Sequence, residues 1–201
     1  MASRSSGPAL IMVAMPSVSN DNFGPLIAYL VPGATVLLGV SPCSPTLQEW
    51  LGMAPAASPT VGGFLYVTVA ALAVGMTVSA VRWLVVDTIH GLTGLPPPVL
   101  DFAGLGANVA GYLLLIEIHY RHYQFYANMV IAVAVAYISY RVQLGGHAVG
   151  GIDLGALVLE GVFFVTSRDT LRKYYTRSRQ LLEGRDREVV GAVVDWYGRG
   201  D

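Results

Sequence analysis

Apolar positions fall in four blocks, 24–40, 62–86, 128–142 and 150–165, separated by short polar breaks. Within the blocks they run on, without the two-residue alternation of a strand or the one-sided stripe of a water-soluble helix. A hydrocarbon core of roughly 30 Å takes about 20 residues of helix to cross. The second block reaches that length, and the others approach it once their Tyr, Phe and Trp flanks are counted. The pattern predicts an all-α integral membrane protein with about four transmembrane helices.

The breaks refine the picture. Asp21 and Asn22 are N-cap candidates for the first span, with Pro25 in its first turn. Pro32 and Gly33 fall near its middle, where a proline frees a carbonyl and kinks a helix, so a short, bent or half re-entrant span is expected. In the Pro-rich stretch 41–60, residues 46–53 suit a short interfacial helix capped by Ser44, with Trp50 at headgroup level. The second span runs to about Asp87, and 91–98 breaks the chain. Residues 99–124 are less apolar; 105–118 suits a buried or interfacial helix, and whether it crosses stays open. A third span covers 125–141. After the glycine-rich turn 143–151 a fourth begins near Asp153, able to continue into a basic amphipathic helix over 167–182. The chain thus divides into an N-terminal tail (1–20), a transmembrane domain (21–166) and a basic cytoplasmic helix and tail (167–201), of which 183–201 receives no element.

Composition agrees. The chain is 54% hydrophobic and 12% charged, about half the charged fraction of soluble domains, and its mean hydropathy is +0.55. A formal net charge of −1 gives no reason to expect nucleic acid. The lone Cys43 excludes an intrachain disulfide and a thiol metal site, and reads as a loop thiol without a role. Arg4 and the apolar run 9–15, broken by Pro16, do not make a good signal peptide; a flexible or interfacial tail is expected instead. Of the 12 Lys and Arg, only Arg141 lies beside the loops 41–61 and 142–150. The positive-inside rule then places the opposite face, and with four crossings both termini, in the cytoplasm.

Several groups are candidates for chemistry. Ala71, Gly75 and Ser79 repeat every fourth residue, a spacing that lets helices approach closely within one chain or between subunits. Arg82, Asp87, His90, Glu117, His119, Arg121 and His122 form a juxtamembrane polar cluster. Glu117 and Arg121 are spaced to pair along a helix. Facing imidazoles and carboxylates suit zinc or iron, but a single His-x-x-His pair favours a hydrogen-bonded anchor, and no metal or other cofactor is expected. The string HYRHYQFY (119–126) reads as an aromatic belt at the membrane boundary. Asp153 and Glu160, seven apart, share a helix face inside an apolar run, where a carboxylate usually meets a water-filled path or a partner charge. Asp153 also suits a capping role. Glu160 has two readings: a ring of carboxylates lining a cation path in an oligomer, or an ion pair with Arg82 or Arg141. Arg168, Arg172, Lys173, Arg177 and Arg179 suit contact with anionic lipid or a partner.

The opening NDNFGPLIAYLVPG (20–33) and the string HYRHYQFYANM (119–129) resemble signatures of small, uncharacterised bacterial multi-pass membrane proteins, over about 21–182. Some of these are similar to membrane effectors of anti-phage defence. The resemblance implies a bacterial inner-membrane protein whose oligomeric pore opens on an upstream signal, and it assigns no residue a role.

No nucleotide-binding glycine loop or nucleophile elbow is present, and Gly104, Gly106 and Gly111 do not complete a G-x-G-x-x-G pattern. The expected function is therefore not enzymatic: a homo-oligomeric ion channel or permeabilising effector, with lipid as solvent and a protein partner or signal ligand at the cytoplasmic face. The alternatives are a non-conducting anchor that recruits a partner through the C-terminal helix, and a membrane metalloenzyme built on the His-containing cluster.

Overall fold

A computed structural model describes residues 20–54, 58, 60–102, 105–145 and 149–197; the expected tail, Asn20 apart, lies outside them. Among the described residues every regular element is helical: α1 (Asn20–Val40), α2 (Pro45–Trp50), α3 (Val61–Arg82), α4 (Thr88–Leu92), α5 (Leu105–Leu115), α6 (Arg121–Leu144) and α7 (Gly151–Tyr197). One π-helical turn, Trp83–Asp87, joins α3 to α4, and another, Ile116–Tyr120, joins α5 to α6.

Local chemistry explains where the helices begin and end. Ser44 caps α2 by accepting from the Leu47 N–H, and Thr60 caps α3 by accepting from the Gly63 N–H at 3.0 Å. Gly145, at φ +61°, closes α6 in the left-handed conformation that glycine adopts without strain. α7 runs 47 residues unbroken. Its basic part carries two pairs spaced to support a helix, Asp169–Lys173 at 2.6 Å and Arg179–Glu183 at 3.5 Å.

Pro32 does not divide α1, contrary to the expectation of a short, bent span. A proline at this position leaves the carbonyl of Ala28 without its helical donor. The side chain of Asn128, fully buried on α6, donates to that carbonyl at 3.0 Å. An orphaned acceptor in an apolar setting is thus satisfied from a neighbouring helix.

Residues 105–118 are likewise no helix of their own. They lead through the second π turn into α6, and the apolar run is Asn108–Leu144, 37 residues. The first run is Val61–Leu92, 32 residues, which carries on past Asp87 through the first π turn. Both are long and apolar enough to cross a membrane. Only 17% of the most apolar window of the first is buried, and 28% of the second. Phe64, Leu65, Val69, Met76, Trp83 and Leu84 all face outward.

The helices alternate in direction. Gly33 on α1 lies against the Ala71 carbonyl of α3, where an added Cβ would come within 1.8 Å of the oxygen. A Cβ on Gly75 would lie 2.0 Å from the carbonyl oxygen of Tyr29. These crossings make α1 and α3 antiparallel. Ala71 and Gly75 therefore form a seam inside the chain, alongside the buried Val78 and Arg82, while Ser79 is only half-buried. α6 runs parallel to α1, from Asn128 beside Ala28 to Ala136 beside Gly39. α7 returns antiparallel, from Tyr137 beside Asp153 through Phe125 beside Phe163 to Asn108 beside Leu181. The result is an up-down-up-down bundle with its polar residues gathered toward one end.

Candidate functional site: a partnered polar layer and an unpartnered glutamate

At that end Arg82 is only 5% exposed, with its guanidinium carbon 5.2 Å from the Tyr123 ring centroid. Its Nη2 lies 3.9 Å from Asp87 Oδ2. The Tyr123 hydroxyl donates to the other oxygen of Asp87. Asp87 belongs to the first π turn, whose extra residue re-aims side chains relative to an unbroken helix. The cluster around Tyr123 is otherwise apolar and aromatic: Val86, Ala127, Leu171 and Tyr174.

The histidines are used one at a time. His90 is fully buried, with Nε2 3.1 Å from Ser167 Oγ on α7. Ser167 already donates its one proton to the Phe164 carbonyl at 2.8 Å, so His90 must donate from Nε2. His119, on the second π turn, has Nε2 2.9 Å from Arg177 Nη1. Arginine only donates, so His119 is the acceptor and carries its proton on Nδ1. His122 is exposed and rests against Tyr126. Glu117 pairs with Arg121 at 3.1 Å across a partly exposed helical turn. The seven residues of the predicted cluster therefore lie in one layer but separate into pairs. Among the described residues no three His, Cys, Asp or Glu side chains gather to hold a metal ion.

The basic residues of α7 divide in the same way. Arg168 holds the chain after α4, donating to the Thr93 hydroxyl at 2.5 Å and the Thr93 carbonyl at 2.6 Å. Arg177 is committed to His119 and Lys173 to Asp169. Arg179 pairs only with the exposed Glu183, and Arg172 has no partner among the described residues. Tyr174 bonds Tyr112 on α5 at 3.1 Å. Burial pushes the Tyr174 and Tyr175 phenols above their ordinary range, so both remain protonated.

The two carboxylates of α7 lie toward the other end. Asp153 accepts from the Tyr137 hydroxyl at 2.6 Å and the Gly150 N–H at 2.6 Å, and Arg141 lies 3.2 Å away. It ties α6 to the start of α7. Glu160 is two turns further along. Its Oε1 is buried without a hydrogen-bond partner, and no cation reaches it. The expected pairing with Arg82 or Arg141 does not form, because Asp87 and Asp153 hold those two arginines. Glu160 and Asp153 instead line a half-open cavity of about 350 Å³ with Tyr137, Val149, Leu154, Ala156 and Leu157.

Sequence reasoning missed Tyr123, Asn128, Ser167 and both π turns. Asn128 had a legible signal, a buried-type amide inside an apolar run; the π turns had none. No protein-family model, curated protein sequence or solved structure matches the chain. The resemblance to bacterial multi-pass proteins rests on its two quoted strings alone.

Proposed function

We propose that the protein is a four-span membrane protein that assembles with copies of itself and conducts cations past Glu160. The observation that carries this reading is Glu160 itself: a carboxylate with a buried, unpartnered oxygen at the wall of a half-open cavity. An intramembrane carboxylate without a partner charge is costly unless it meets water or a passing cation. The two long apolar helices support the bilayer, since most of their surface is uncovered by protein. Helices this apolar in a water-soluble bundle bury that surface instead.

The alternating directions support four crossings, and the continuity of 105–144 removes the odd fifth span. Positive residues then put the polar layer on the cytoplasmic side. One copy of the bundle encloses no route between its tightly packed helices, so the path lies along the Glu160 face of α7 where copies meet. Ile152, Leu154, Leu157, Val158 and Val162 are exposed around it. The setting suggested by the sequence resemblance is an anti-phage effector opened by an upstream signal.

A second reading has its own observation. At about 1.5 Å per residue, 47 residues of α7 reach about 70 Å, well past a bilayer, as a helix that recruits a partner would.

Accessibility at position 160 separates the two readings. In a Cys43→Ser background, Glu160→Cys in liposomes should react with a membrane-impermeant cationic thiol reagent, and Val158→Cys should not. Protection at 160 equal to that at 158 would remove the path and leave the anchor.

A further inference from the structure

Between α7 and the chain following α4 lies a second cavity, of about 270 Å³, lined by Gly94, Leu95, Pro96, Pro98, Arg172, Tyr175, Thr176 and Arg179. Its walls differ in kind. One is a proline-rich strap, held in place by the two bonds from Arg168 to Thr93 and by the Leu95 N–H donating to the His90 carbonyl at 2.9 Å. The other is a helix face presenting two guanidinium groups seven residues apart, with the Tyr175 and Thr176 side chains between them.

Those guanidinium groups are also the least committed on the helix. From 168 to 183 α7 carries five cations against two carboxylates. Arg168, Lys173 and Arg177 have partners that hold them outside this cavity. Arg172 has none, and Arg179 spends one edge on Glu183. The surplus positive charge is therefore concentrated at the cavity and is not spread along the helix. A planar fork of N–H donors matches a phosphate oxygen pair, and hydroxyls complete the shell.

We propose that this cavity binds a phosphate group, the arginine forks of Arg172 and Arg179 holding its oxygens beneath the strap formed by residues 94–98. The same chemistry is offered by an anionic lipid headgroup and by free phosphate. Basic pockets at the cytoplasmic ends of membrane helices take lipid headgroups. Only that source rests on the membrane reading, and binding is independent of whether the protein conducts.

The test uses the full chain in a neutral detergent. Native mass spectrometry follows retained phosphatidylglycerol against phosphatidylcholine, and phosphorus NMR line broadening follows inorganic phosphate. Phosphatidylglycerol should be retained in preference, and the double variant Arg172→Gln, Arg179→Gln should weaken retention at least about tenfold, the scale of lost hydrogen bonds to a charged group. Lys173→Gln removes the same kind of charge outside the cavity and should change it less than about twofold. Glu183→Gln frees Arg179 and should tighten it. If inorganic phosphate binds with the same variant pattern, the ligand is free phosphate; if the lipid alone does, it is the headgroup. Binding of neither probe, or equal weakening by Lys173→Gln, would overturn the proposal. All four side chains are exposed, so the variants keep the fold that the comparison needs.

Discussion

The two ends of the bundle handle buried polarity in opposite ways. At the cytoplasmic end Arg82, Asp87, His90, His119, Tyr123, Asn128 and Ser167 are each held across a helix boundary, by an ion pair, a hydrogen bond or a ring. Toward the other end Asp153 is just as well held, by Tyr137, Arg141 and a backbone N–H. Between them Glu160 has no such contact. Polar groups in an apolar environment are retained for architecture when they have partners. One without a partner destabilises the fold and calls for another explanation. The contrast shows why a concentration of titratable residues is a poor guide to a working site: the dense cluster is fastening, and the isolated carboxylate is the candidate.

Substitutions that should sharpen or break this comparison span a wide range of effect. Gly75→Val forces a branched side chain into the Tyr29 carbonyl, and backbone cannot yield as a side chain can. It should cost at least about 3 kcal/mol and abolish the folded monomer in thermal scans of detergent-solubilised protein. Retention of the wild-type melting temperature would show that the α1–α3 seam does not hold the bundle. Asn128→Leu keeps the volume but orphans the Ala28 carbonyl beneath Pro32. A loss of about 1–3 kcal/mol is expected, reversed when Pro32→Ala restores the helical donor in the same chain; failure of that rescue would sink the assignment. Tyr123→Phe removes the hydroxyl that serves Asp87 while leaving the ring under Arg82, for about 1 kcal/mol. Glu160→Gln should be the smallest of these and opposite in sign. It breaks no contact and removes a half-buried charge, so the melting temperature should stay level or rise. A clear fall would mean that Glu160 has a structural partner.

Much of the architecture was readable from the chain because membrane-length apolar runs and their breakers are local signals. The four blocks became α1, the α3–α4 run, α6 and the first half of α7. Ser44 capped its helix, and Glu117 met Arg121, since caps and i,i+4 pairs depend on near neighbours. What escaped was non-local. Whether Arg141 chooses Asp153 or Glu160 depends on how α6 and α7 lie against each other. That Asn128 answers Pro32 depends on two helices joined through a hundred residues. The π turns leave no residue signature, so the continuity of 105–144 was hidden. The five basic residues of α7 looked equivalent in sequence; only packing against Thr93 and His119 set two of them apart as fasteners.

The most direct measurement is cation flux through liposomes containing the assembled protein, wild type against Glu160→Gln, with an Asp153→Asn variant checked for assembly alongside. The account predicts cation-selective flux in the wild type that falls at least about tenfold, or loses its selectivity, in Glu160→Gln while the assembled fraction and melting temperature hold. Equal flux in wild type and Glu160→Gln, or no flux from a well-assembled wild type, would contradict it.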